Sequence, residues 1–129
     1  MDKTDPKRIL VVDDEATVRT ICSRVLTPLG YRIETAENGD AALVRFEHEP
    51  FDLVITDYRM PGVLNGLGLC QAVKRRNPDT FVIVMTAFPA VDSAVETMRA
   101  GGMDYLIKPF DQAELIRRVR SCFGGRSES

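Results

Sequence analysis

A chain of 129 residues with 44% hydrophobic and 28% charged side chains has the size and composition of one globular domain around one core. Its formal net charge of −2 gives no general attraction for nucleic acid, and no apolar stretch approaches the ~20 residues that a membrane span needs. The start (Met1-Asp2-Lys3-Thr4-Asp5-Pro6) lacks the apolar centre of a secretory signal, and three cysteines without a Cys-x-x-Cys pair read as small hydrophobes in a reducing cytoplasm.

Short β-rich runs alternate with longer helical patterns, the signature of βαβ units. Ile9–Val12 is a continuous aliphatic run, as expected of a strand covered on both faces. Val18, Ile21, Cys22, Val25, Leu26 and Leu29 follow at spacings of three and four and predict an amphipathic helix ended by Gly30. Tyr31–Ala36 alternates polar and apolar residues, which suits an edge strand. Asn38-Gly39 opens a second helix that turns Ala42, Leu43 and Phe46 inward and stops at Pro50. Phe51–Thr56 is the third strand, 60–65 a loop, and a helix from Gly66 to Arg76 packs Leu69 and Val73. Asn77-Pro78-Asp79 is a turn.

Phe81–Met85 is the fourth strand. A helix over Asp92–Ala100, carrying Ala94, Val95 and Met98, closes at Gly101-Gly102. Tyr105–Ile107 is the fifth strand. Asp111-Gln112-Ala113-Glu114 is a capping box for a last helix that buries Leu115, Ile116, Val119, Cys122 and Phe123. Arg117, Arg118 and Arg120 on that helix read as a solvated basic face, with a partner or dimer surface as the alternative. Lone His48, between two glutamates, reads as a surface residue. Residues 1–7 are a polar lead-in, 8–123 one domain, and 124–129 a flexible tail or the start of a linker. The expected fold is α/β: a doubly wound, flavodoxin-like parallel sheet of five strands in the order 2-1-3-4-5, with five helices on its two faces.

In such a sheet every strand ends on one edge, where ligands bind. The first strand runs into Asp13-Asp14, the third into Asp57, the fourth into Thr86 and the fifth into Lys108-Pro109. Alone, each has a plain structural reading: a helix cap, a turn residue, a β-former, a surface turn. Together they bring three carboxylates, a hydroxyl and an ammonium to one crevice. Carboxylates that close raise each other's pKa unless a cation sits among them, and magnesium is the natural one for an all-oxygen set. A carboxylate can also act as a nucleophile and form an acyl phosphate, with Asp57 the central candidate.

The segments Ile9-Leu10-Val11-Val12-Asp13-Asp14-Glu15, Asp57-Tyr58-Arg59-Met60-Pro61-Gly62, Met85-Thr86-Ala87 and Asp104-Tyr105-Leu106-Ile107-Lys108-Pro109-Phe110 resemble, in order and spacing, those of two-component response-regulator receiver domains. The resemblance covers Arg8 to Phe123. It implies that Asp57 accepts a phosphoryl group from a sensor histidine kinase. It further implies that Asp13, Asp14, Asp57 and the Arg59 carbonyl hold Mg2+, and that Lys108 and Thr86 contact the phosphoryl group. Ala87 would leave room for that group, and the Lys108–Pro109 bond would be cis. Thr86 and Tyr105 would act as switch residues that change the face made by the Asp92–Ala100 helix, the fifth strand and the last helix. The implied partner downstream is an output protein or a fused output domain, with dimerisation on phosphorylation left open. Direct nucleic-acid contact, membrane insertion and turnover of an external substrate are not expected.

The loop after Asp57 is one residue longer than the family pattern, with Gly62-Val63-Leu64-Asn65 before Gly66. Arg59 and Phe88, near the mouth of the site, are expected to tune phosphoryl lifetime by controlling attacking water. The competing enzyme reading is an aspartyl-phosphate phosphatase of the haloacid dehalogenase type. That class wants Asp-x-Asp after the first strand, where this chain has Asp13-Asp14-Glu15. A flavin binder would want a Ser/Thr/Gly-rich phosphate loop where this one is acidic.

Overall fold

In the computed structural model, which describes residues 5–60, 65–88 and 104–124, strands and helices alternate as their patterns require. The order is β1 (Arg8–Val12), α1 (Ala16–Leu26), a 3-10 turn (Thr27–Leu29), β2 (Arg32–Ala36), α2 (Gly39–His48), β3 (Leu53–Asp57), α3 (Gly66–Arg76), β4 (Phe81–Thr86), β5 (Asp104–Ile107) and α4 (Gln112–Cys122). All neighbouring strands pair in parallel, in the sheet order β2-β1-β3-β4-β5. The described residues therefore hold four α-helices rather than five. The helix expected over Asp92–Ala100 lies outside them.

Side chains on a strand alternate between the two faces of the sheet, and β1 shows what that does to a continuous aliphatic run. Leu10 and Val12 join Val54, Val82 and Val84 under α2 and α3, against Phe46, Leu69, Cys70 and Val73. Ile9 and Val11 join Leu53, Ile55, Ile83, Met85 and Leu106 on the other face, under α1 and α4, against Cys22, Leu26, Leu115 and Val119. Both faces are thus covered, as a parallel sheet demands. Three helices start on side-chain caps: Asn38 accepts from the Ala41 N–H, Asn65 from Gly68 and Asp111 from Glu114. No helix among the described residues is long and apolar enough to cross a membrane.

Several expectations are corrected. The first helix ends at Leu26, not Gly30. Pro28 has no N–H to continue the ladder, so the chain tightens into the 3-10 turn and Gly30 caps that turn at φ 98°. Ile21 and Leu29 lie on the apolar stripe yet stand exposed, because α1 seats mainly on Cys22 and Leu26. Only Leu115 and Val119 of α4 are fully buried, while Ile116, Cys122 and Phe123 are half-buried. Phe123 instead packs its ring 5.7 Å from Tyr31 and 5.9 Å from Phe81. Half of the expected capping box is present: Asp111 caps, but the Glu114 carboxylate is taken by Arg117 and Arg118. His48 is exposed, as expected. Burial pushes the Cys22 and Cys70 thiols up to about 12 and Cys122 to about 11, so all three stay protonated and unreactive at neutral pH.

One contact ties α3 to the end of β3. A Cβ built on Gly66 would lie 2.0 Å from the Asp57 carbonyl oxygen and 2.8 Å from the Tyr58 Cα. Both are backbone atoms that cannot swing aside. Gly66→Ala is therefore expected to displace the Asp57 strand end and lower stability by about 1–3 kcal/mol, the usual cost of overpacking. A urea-unfolding midpoint equal to that of the parent chain would show that the approach is not tight.

Candidate functional site

The carboxyl ends of β1, β3, β4 and β5 meet at one edge, and the polar residues there converge as the sheet order predicts. Single oxygens of Asp13, Asp14 and Asp57 lie within 4.8 Å of one another. Lys108, from the end of β5, puts its Nζ 2.9 Å from Asp13 Oδ2 and 3.3 Å from Asp57 Oδ1. Asp13 is fully buried and Asp57 nearly so, whereas Asp14 is exposed. A cleft of about 290 Å³ opens onto Asp14, Asp57, Arg59, Thr86, Phe88 and Lys108. Two strand-end hydrogen bonds fix its walls, Tyr58 N to Met85 O and Lys108 N to Thr86 O, each 2.8 Å long. The Lys108–Pro109 peptide is cis.

Burial, with the Asp13 carboxylate beside it, pushes the Asp57 carboxyl up to about 6, while the Lys108 ammonium pulls the other way. Burial acts to lower the Lys108 pKa, yet its bonds to Asp13 and Asp57 outweigh that and hold it above the ordinary value. Three carboxylates facing one ammonium leave two negative charges without a partner. That is the charge of one divalent cation, and every donor in the set is a hard oxygen, so the residues fit Mg2+.

The remaining expected residues are placed as follows. Thr86 is buried, and its Oγ1 accepts a hydrogen bond from the Phe88 N–H at 3.1 Å. The Arg59 guanidinium lies 5.3 Å from the Phe88 ring centre, across the mouth of the cleft. Ala87 lines the cleft. Tyr105 is half-buried, its ring 5.6 Å from the Arg118 guanidinium. Neither Asp13 nor Asp14 caps α1. Its N-cap position is Glu15, which makes no side-chain cap bond, and Asp13 Oδ1 accepts instead from the Glu15 N–H. The last helix is no bare basic face, because Arg118 forks onto Asp104 and also bonds Glu114. Pro61 to Leu64, which hold most of the longer loop, lie outside the described residues.

Two neighbours escaped the sequence reading. Glu15 comes within 4.0 Å of Lys108. Arg19, one turn into α1, donates from Nη1 to the Asp13 carbonyl at 2.7 Å. The only available signal for either was proximity in sequence to the acidic pair. A larger groove of about 600 Å³ lies between β2 and α2, but its charges are spent on one another, Arg8 with Glu34 and Glu49 and Arg45 with Glu34.

The sequence model described as "Response regulator receiver domain" matches residues 9–120. The probable transcriptional regulator ycf27 of Porphyra purpurea is 43% identical over 115 residues, 89% of this chain and 46% of that protein. The transcriptional regulatory protein ResD of Bacillus subtilis (strain 168) is 35% identical over 129 residues, all of this chain and 53% of that one. The chain thus spans about half the length of these two relatives. Among solved structures, the response regulator TrrA of Thermotoga maritima in complex with Mg(2+)-BeF superposes with a TM-score of 0.79 at 37% identity, covering 90% of this chain and 98% of that one. With the family match running from β1 into α4 and the acidic edge in place, this chain belongs to the response regulator receiver domains of two-component signalling.

Proposed function

We propose that this domain stores one phosphoryl group on Asp57, received from a sensor histidine kinase, and relays its presence to an output protein or a fused output domain. The observation that carries this reading is the buried Asp57 carboxylate 3.3 Å from Lys108 and within 4.8 Å of two further carboxylates. An Asp57 oxygen attacks the phosphorus in line, the phosphorus–nitrogen bond of the donor histidine breaks, and an acyl phosphate forms. Asp13, Asp14, Asp57 and the Arg59 carbonyl are the groups that would hold Mg2+, which when bound supplies the positive charge that lets an anionic phosphate approach this acidic edge. Lys108 holds one phosphoryl oxygen and the Thr86 hydroxyl donates to another.

The TrrA complex named above carries Mg(2+)-BeF, which supports a metal and a phosphoryl-like group at the matching edge. Phosphorylation adds about two negative charges where Thr86 and Lys108 wait. Thr86 is drawn toward them, Tyr105 follows, and the face that includes β5 and α4 changes its contacts, through dimerisation or a partner. Beside the cleft, Val18, Ile21, Pro109 and Phe110 wall an apolar groove that also reaches Lys108, a suitable seat for the donor kinase. The longer relatives are transcriptional regulators by name, which supports an output step on DNA by another part of the protein, with this domain in the cytoplasm and off the DNA.

Incubation with Mg2+ and acetyl phosphate is expected to add one phosphoryl group to the intact mass. The adduct should be lost in Asp57→Asn and in EDTA. Repeated turnover of donor would instead favour a phosphatase, and an adduct surviving Asp57→Asn would move the acceptor elsewhere.

The metal-free protein has a stability signature of its own. The folded Asp57 carboxyl keeps its proton to about pH 6, against an ordinary value of 3.8. The folded state therefore binds more protons than the unfolded chain between those values, and stability falls as pH rises through them. In EDTA, melting temperature should drop across that window in the parent chain relative to Asp57→Asn, and Mg2+ should reverse the drop. Parallel melting curves for the two proteins would contradict the assignment.

The contact between Arg59 and Phe88 covers the approach of water to the phosphorylated Asp57. Arg59→Ala and Phe88→Ala should each speed dephosphorylation about two- to fivefold, the worth of one exposed cation–π contact. Unchanged phosphoryl lifetimes in both would reject the gate.

A further inference from the structure

Asp13 is held at each of its polar positions. Its N–H donates to Ala36 O at 3.1 Å, Oδ1 accepts from the Glu15 N–H at 2.9 Å, Oδ2 accepts from Lys108 at 2.9 Å, and its carbonyl accepts from Arg19 at 2.7 Å. Arg19 alone among these partners is neither backbone nor one of the converging charges. Its side chain runs back from the first turn of α1 to the end of β1 and is half-buried there. The N-cap residue Glu15 makes no side-chain bond. Among the described residues, the Glu15 N–H on Asp13 Oδ1 and the Arg19 guanidinium on the Asp13 carbonyl are therefore what tie the intervening loop, and only Arg19 holds the peptide that leads into Asp14.

That loop carries Asp14. Among the described residues the Asp14 side chain makes no hydrogen bond or ion pair, so its direction follows from the backbone that bears it. The oxygen that Arg19 grips belongs to the peptide joining Asp13 to Asp14. We infer that Arg19 is a positioning residue for the divalent-cation site: by clamping this peptide it aims Asp14 at the space it shares with Asp13 and Asp57. The inference rests on the reading of those three carboxylates as a cation site.

Two effects of Arg19 oppose each other. Its positive charge repels a cation, while its hydrogen bond orders a ligand. The guanidinium borders an open groove with Thr20, Ser23, Arg24 and Thr35, where solvent screens the charge. The bond to Asp13 is short, charge-assisted and partly buried. Ordering therefore wins, and removing Arg19 weakens metal binding.

The test is an amide chemical-shift titration of the metal-free protein with MgCl2 at constant ionic strength, read on residues 13–15 and 57–59. Arg19→Ala is expected to raise the Mg2+ Kd roughly tenfold, at the low end for loss of a group that orients a metal ligand. Arg19→Lys should recover part of the loss. Arg24→Ala removes the same charge from the same helix and should leave Kd within about twofold, since no ligand is ordered by it. If Arg19→Ala loses the dispersed spectrum of a folded chain, Arg19→Gln, too short to reach Asp13, should show the same tenfold weakening. An unchanged or tighter Kd in the folded Arg19 variant, with the parent chain binding and Asp13→Asn abolishing it, would overturn the inference and leave the cation site standing. Failure of the parent chain to bind Mg2+ would overturn both.

Discussion

The grip of Lys108 on Asp13 and Asp57, at 2.9 and 3.3 Å, is the interaction on which the functional edge depends. A parallel sheet sends all its strand ends to one side, so a chain that ends β1 and β3 in aspartates concentrates negative charge there. Two of those carboxylates are buried. A buried charge without a partner is strongly unfavourable, and a buried pair broken at one end is worse than no pair at all. Lys108 comes from β5, two strands away from β3 and three from β1. It compensates one of three charges and leaves the rest in need of a cation. On the proposed reading a divalent cation balances the rest, which couples the charge of this edge to a ligand.

Much of this was legible in the sequence because the signals were local and of the right period. Continuous aliphatic runs gave strands covered on both faces, and right-handed crossovers pointed to an open parallel sheet; the order 2-1-3-4-5 was the choice that set the acidic strand ends beside the switch point. Asn38 and Asp111 marked helix starts because a short polar side chain can reach an N–H two or three residues on. Asp13, Asp57, Thr86 and Lys108 were readable as a group because each stands at the carboxyl end of a strand-like run, and the topology of a parallel sheet brings such residues together.

What the sequence hid was set by partners distant along the chain. The apolar stripe of α1 is wider than the surface it meets, so Ile21 stays exposed although its spacing matches Cys22. Cys70 is wholly buried between α3 and the sheet, although the spacing pointed only to Leu69 and Val73 as the packed residues of that helix. Arg118 looked like one of three surface cations, but Asp104 at the start of β5 claims it. Arg19 bonds a backbone carbonyl, and no pattern of side chains announces a backbone acceptor.

Asp104 and Arg118 also constrain how an event at Asp57 could leave the site. Tyr105 stands between them in the chain of contacts, its ring against Arg118 and its N–H donating to Asp104 Oδ1 at 2.8 Å. On the proposed reading, Tyr105 moves when Thr86 is drawn to a phosphoryl group. Arg118 holds α4 through Glu114 and β5 through Asp104, so the ring cannot turn without disturbing a contact that joins the last helix to the last strand. These pairs are about a third exposed and individually weak, but a side chain shared among several partners moves them together, because one rotation reassigns all of its bonds. The same economy holds at the acidic edge, where Lys108 serves both Asp13 and Asp57. On the proposed reading, a short move by the half-buried Lys108 there, or by the Tyr105 ring at β5, reassigns several contacts at once, which is how a small chemical change at one carboxylate would alter a surface.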